Sequence, residues 1–276
     1  MKKRFFSFLQ ITVTIFFVWY TFSKINLIQL KNIINDLNIN FLFFSVITYF
    51  FSQYISSLRL HFILNNNNLK ITKALNFQFY LIGMFYNFFI PGGIGGDAYK
   101  GYLMNKRFKW SIKNIIKLLF IDRFIGLVML ISILIFVENG LLLNLNILIR
   151  FIFFTLLIFV GYIITKKLTS NNSLFFKAYA YSALIQLTQF LSLIFILLSL
   201  GISKNFIEII FIFLISSILS IFSFGGIGIR EYVFLTAAST IDISPELSTS
   251  IGLLFTVCAG ISSAPGIIYL KNKWKT

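Results

Sequence analysis

The chain has 276 residues, of which 58% are apolar and only 12% charged, with a mean hydropathy of +0.89. That balance excludes a water-soluble globular domain, because so much apolar surface cannot be hidden in one core, and it makes bilayer lipid the expected solvent. The single cysteine, Cys258, excludes an intramolecular disulfide and a cysteine-cluster metal site, and the net charge of +16 raises the question of where the cations sit.

A spanning helix needs about 20 mainly apolar residues. Such windows lie near 5–22, 40–63, 114–137, 145–165, 176–200 and 247–270. The first follows Lys2-Lys3-Arg4 and reaches Trp19 and Tyr20 with no small-residue cleavage site, so it reads as a span and not as a signal peptide. Two further windows, 74–104 and 205–241, are apolar but interrupted by glycine clusters, which a continuous spanning helix rarely carries.

Short loops rich in lysine and arginine stay on the cytoplasmic side. With the N-terminus inside, the cytoplasmic set is Lys2, Lys3, Arg4, Arg59, Lys70, Lys73, Lys100, Lys106, Arg107, Lys109, Lys113, Lys166, Lys167, Lys177, Lys271, Lys273 and Lys275, which is 17 of the 24 basic residues. The charge is then mostly topology, and it calls for no nucleic-acid partner. Both flanks of 74–104 fall inside and both flanks of 205–241 fall outside, so each window is expected to enter the membrane, turn at its glycines and return. The string GGIG occurs at 92–95 and again at 225–228, and a shift of 133 residues brings the windows of the two halves into line. The expected fold is therefore an all-α polytopic membrane protein with about six spanning helices plus two re-entrant glycine-turn hairpins, as an inverted repeat. It would form a single transmembrane domain over 1–276, with half-repeats near 1–137 and 138–276. Inverted repeats with broken helices at mid-depth are characteristic of transporters.

Residues 87–100 read NFFIPGGIGGDAYK. Gly93, Gly95 and Ala98 match a dinucleotide fingerprint by spacing, but that fingerprint needs a preceding strand in a soluble βαβ unit, and here a membrane helix precedes it. Glycine backbone beside a half-helix N-terminus suits an anionic group; close packing of a tight hairpin is the other reading. Asp97, Asp122, Arg123, Arg230 and Glu231 stand in or beside apolar segments, where a lone charge costs about 2.5 to 3.5 kcal/mol. They are expected to pair or to face water, with Asp122-Arg123 in one half and Arg230-Glu231 in the other each supplying a carboxylate and a cation; purely structural ion pairs remain the alternative. His61 reads as a polar interface residue. No catalytic serine, histidine and aspartate set and no metal-ligand spacing can be assembled, so no cofactor or metal is expected.

Three motifs, N-x-x-x-P-G-G-I-G-G-D at 87–97, Asp122-Arg123 and GGIGIRE at 225–231, resemble the flippase-like membrane domain of lysylphosphatidylglycerol synthases, shared with YbhN-type and UPF0104 proteins, over nearly the whole chain. The resemblance implies a multi-pass protein of a bacterial or archaeal plasma membrane, with relatives linked to moving or modifying anionic or aminoacylated lipids, and the basic-residue count above puts both termini in the cytoplasm. The matching positions are Asn87, Pro91, Gly92, Gly93, Gly95, Gly96, Asp97, Arg123, Gly225, Gly226, Gly228, Arg230 and Glu231. Ser223-Phe224 departs from the pattern, standing where relatives often carry a proline-containing stretch. The synthases carry a soluble transferase domain after the membrane part, whereas this sequence ends at Thr276, so lysyl transfer by this chain alone is not expected. The function expected is a lipid translocator handling an anionic or aminoacylated phospholipid or a polyprenyl-phosphate-linked lipid. In it Arg123, Arg230 and the glycine N–H groups would bind phosphate in a polar cavity between the hairpins, and Asp97 and Glu231 would balance charge or bind a lipid amine. The alternatives are a membrane subunit of a lipid-modifying enzyme, with a soluble transferase as partner, and a non-transporting assembly protein.

Overall fold

In a computed structural model, described over residues 2–89, 95–138, 145–169, 171, 173–223 and 225–270, all regular structure is helical. In chain order the helices are α1 (Lys2–Lys24), α2 (Leu27–Asn35), α3 (Ile39–Asn66), α4 (Lys73–Phe89), α5 (Gly96–Phe108) and α6 (Ile112–Val137). There follow α7 (Ile147–Thr169), α8 (Leu174–Ser199), α9 (Phe206–Leu219), α10 (Ile229–Thr236), α11 (Pro245–Ser263) and α12 (Gly266–Leu270). Among the described residues, α3, α6, α7, α8 and the run Pro245–Leu270 are long and apolar enough to cross a membrane, and α1 with α2 makes a sixth candidate bent by 90°. The protein is thus an all-α, multi-pass membrane protein, since helices satisfy their own backbone groups in hydrocarbon.

The hydropathy windows give the spans, and α7 shows why the signal is strong. It buries only Gly161 and Thr165, while Leu148, Phe151, Ile152, Leu156 and Phe159 are exposed. A helix that is apolar all round yet hardly buried has lipid as its surroundings. Not anticipated is α2, which lies within what reads as an outer connection. Asn26 starts it, its side-chain oxygen accepting from the N–H groups of Ile28 and Gln29.

Both glycine-interrupted windows resolve into helix pairs. In the first, α5 folds back along α4: a Cβ at Gly83 would stand 3.1 Å from the Gly96 carbonyl oxygen, and the Tyr86 and Tyr99 rings stack at 3.8 Å. In the second, the Asn205 amide donates to the Ile241 carbonyl at 2.7 Å, tying the start of the window to its end.

The helices pack as two compact units that interleave along the sequence, each drawing on both sequence halves. Unit 1 comprises Met1–Phe50, Asn87–Gly93 and Thr188–Ala264, and unit 2 comprises Phe51–Tyr86, Ile94–Leu187 and Pro265–Thr276. In unit 1 the Phe213 and Phe255 rings meet at 4.7 Å over buried Ile209, Phe234 and Ile251. The Ser45 and Ser192 hydroxyls lie 2.9 Å apart, with the Cys258 sulfur 3.4 Å from Ser45, the small polar contact that lets membrane helices approach closely. Unit 2 closes on Leu60, Ile63, Phe79, Ile82, Met104 and Ile115.

Candidate functional site

In unit 2, Asp122 and Asp97 each gather a cation from a neighbouring helix. Arg59 on α3 grips Asp122 on α6, Nε donating to Oδ1 at 2.8 Å and Nη2 to Oδ2 at 3.1 Å, while Nη1 donates to the Ser182 hydroxyl at 2.7 Å. The expected partnership of Asp122 with Arg123 is thereby corrected. Successive residues of a helix diverge by about 100°, so the two side chains leave α6 on different faces. Arg123 reaches α5 instead, where Nε and Nη2 donate to the two oxygens of Asp97 at 2.7 and 3.0 Å. Lys100 Nζ lies 2.9 Å from Asp97 Oδ1 and 4.9 Å over the Tyr80 ring.

Burial corrects a second expectation. Arg59 and Lys100, assigned to cytoplasmic loops by sequence position, are enclosed by the helices of unit 2. α3 runs on to Asn66 and α5 starts at Gly96, so both residues belong to helices and not to loops. Arg123, by contrast, leaves 53% of its side chain exposed.

In unit 1 the second glycine turn is described apart from Phe224. Gly225, Gly226 and Gly228 have φ of +62°, +86° and +83°, the left-handed region that side chains disfavour. The turn delivers Arg230 and Glu231 to the first turn of α10, where both are buried. Gly252 on α11 allows this approach, since a Cβ there would stand 3.1 Å from the Arg230 carbonyl oxygen. Glu231 Oε2 accepts the Gly228 N–H at 2.7 Å, so that N–H is already committed and does not face a ligand.

Arg230 is 7% exposed. Its guanidinium sits 4.8 Å over the Phe255 ring and donates to the Thr256 hydroxyl at a long 3.5 Å. A Cβ at Gly226 would come within 3.3 Å of Arg230 Nη2, so this glycine makes room for the guanidinium. Among the described residues no carboxylate lies within 4 Å of Arg230, and Arg230 Nε and Glu231 Oε1 lack a hydrogen-bond partner. The structure brings Asn87 to the same turn, its carbonyl oxygen 3.3 Å from where a Gly225 Cβ would be. Gly95 and Gly96 open α5 beside Asp97, and Gly92 and Gly93 lie outside the described residues.

Among the described residues of the two sites, Arg59 and Asp122 thus form a neutralised pair, Asp97 is shared by two cations, and buried Arg230 has no carboxylate within 4 Å. A family model described as the lysylphosphatidylglycerol synthase TM region matches residues 7–169, more than half of the chain. The chain belongs to this family. The lysylphosphatidylglycerol synthase TM region takes in Arg59, Asp97, Lys100, Asp122 and Arg123 but not Arg230 or Glu231, a shorter reach than the near-complete resemblance implied. No curated protein and no solved structure matches the chain.

Proposed function

We propose that the protein is a lipid translocator that binds the phosphate of an anionic or aminoacylated phospholipid, or of a polyprenyl-phosphate-linked lipid. The observation that carries this reading is Arg230, a buried guanidinium with no carboxylate within 4 Å among the described residues and an Nε left without an acceptor. A charge enclosed in that way is costly unless a partner arrives, and phosphate matches the planar fork of arginine. Family membership supplies the setting, a membrane region named for a lipid synthase.

The inverted repeat belongs to the same proposal, and the helix boundaries support it. α4 starts at Lys73 and α9 at Phe206, α5 at Gly96 and α10 at Ile229, and Ile112–Val137 is matched by Pro245–Leu270, all at the 133-residue offset of the GGIG strings. By the same offset Asp97 and Arg123 correspond to Arg230 and Thr256, and each of these two pairs is in contact. The second half keeps the contact but has an arginine where the first has its carboxylate, in line with Arg230 having no carboxylate within 4 Å among the described residues.

Fluorescent phospholipid movement in vesicles reconstituted with the purified chain tests the reading. Wild type should move phosphatidylglycerol across the bilayer, Arg230→Lys should slow it by about tenfold, and Arg230→Gln should abolish it in folded protein. A wild type that moves no lipid would defeat the proposal and favour the membrane-subunit alternative, in which a separate soluble transferase supplies the chemistry.

A further inference from the structure

Unit 2 holds a second arrangement whose charges do not balance. Asp122 spends both oxygens on Arg59, leaving Asp97 to serve Arg123 and Lys100 together. One carboxylate against two cations leaves a net charge of +1. The N-terminus of α5, in whose first turn Asp97 stands, adds a further partial positive charge of about 0.5. Lys100 is fixed beneath, 2% exposed and held against Tyr80, whereas Arg123 is half open to its surroundings about 16 Å along α6 from Ile112. Asp97 occupies the guanidinium fork of Arg123 with the two-oxygen geometry that a phosphate would use.

We propose that Arg123 and Lys100 form a phosphate site whose ligand position is filled by Asp97 of the same chain, so that an anionic headgroup binds by displacing this carboxylate. The lipid as source of the phosphate rests on the translocator reading above; the exchange itself rests on the charge count and the geometry of unit 2. Asp97 is on this view an internal stand-in for the ligand. It keeps the two cations satisfied when no headgroup is present, and it sets how strongly a headgroup must bind in order to enter.

Native mass spectrometry of the full chain in detergent, titrated with dioleoyl phosphatidylglycerol, dioleoyl phosphatidylcholine or inorganic phosphate, tests the exchange. Asp97→Asn removes the competing charge and should tighten phosphatidylglycerol binding by about tenfold with phosphatidylcholine unchanged, because the displaced charge-assisted bonds no longer oppose entry. Arg123→Lys keeps the charge but loses the fork, and should weaken phosphatidylglycerol by a similar factor. A matching gain for inorganic phosphate would assign the site to a phosphate of net negative charge, free or lipid-borne; a gain for phosphatidylglycerol alone would assign it to the lipid. A folded Asp97→Asn protein that binds phosphatidylglycerol no better than wild type overturns the exchange. Should that variant fail to fold, unchanged binding by Arg123→Lys overturns it equally. Since these titrations read binding, a wild type that shows the pattern yet moves no lipid would sink the translocator reading and leave this site standing.

Discussion

Arg59 and Asp122 form a fully satisfied ion pair in unit 2, with the guanidinium completed by Ser182 and accommodated by Gly126, where a Cβ would stand 3.0 Å from Nη1. Removing one member strands the other inside the protein, so Arg59→Gln or Asp122→Asn should each cost about 3 to 5 kcal/mol, whereas the double variant should recover most of the loss. Thermal unfolding in detergent reads this cycle, and single variants as stable as wild type would contradict it. Pairing Arg123→Gln with Asp122→Asn should give no such recovery, because Arg123 answers to Asp97. These partnerships were hard to read from the chain, since Arg59 lies 63 residues from Asp122 while Arg123 is its neighbour, and adjacency on a helix separates side chains. A usable signal was present in Gly126, four residues after Asp122 and hence on the same helix face. The charged members of both sites were legible as charges in apolar surroundings; that Arg230 would lack a counter-ion was not, because only the fold shows where Glu231 turns its carboxylate.

The helix pairs were legible as elements because glycine clusters interrupt apolar windows, and the turn between α9 and α10 shows what those glycines do. Gly228, at φ +83°, would with a Cβ come within 2.9 Å of the Thr14 carbonyl oxygen, whereas Gly201, at φ +71°, has nothing within 4 Å of that position. Gly201→Ala should therefore cost only its backbone strain, about 1 kcal/mol. Gly228→Ala adds a collision with the backbone of α1 and should cost about 3 kcal/mol or more. Equal shifts in melting temperature for the two variants would refute the close approach. The nine-residue α2 escaped hydropathy reading because it is far shorter than a span, and its one sequence mark is the capping Asn26.

At the scale of the whole molecule the proposed topology puts the N-terminus, the connection at 109–111 between α5 and α6 and the C-terminus in the cytoplasm, which cysteine labelling in intact cells can check. Cys258 is buried and gives a quiet background. Lys109→Cys should react with a membrane-impermeant reagent only after the cells are opened, and Asp242→Cys should react before; the reverse order would break the hairpin assignment. The spans were legible because about 20 apolar residues are a long, redundant signal, while the division into two interleaved units was not, since it depends on contacts between residues far apart in sequence. Within unit 1, the Asn26 N–H donates to Glu246 Oε1 at 3.0 Å across 220 residues, and α1 packs against the turn at Gly228. A ribosome delivers α1 to the membrane long before it has made either partner. Helix α1 must therefore wait in the bilayer, undocked, until α10 and the start of α11 emerge, so unit 1 closes late in biogenesis, and a stalled nascent chain ending before Gly228 would leave α1 open to membrane proteases.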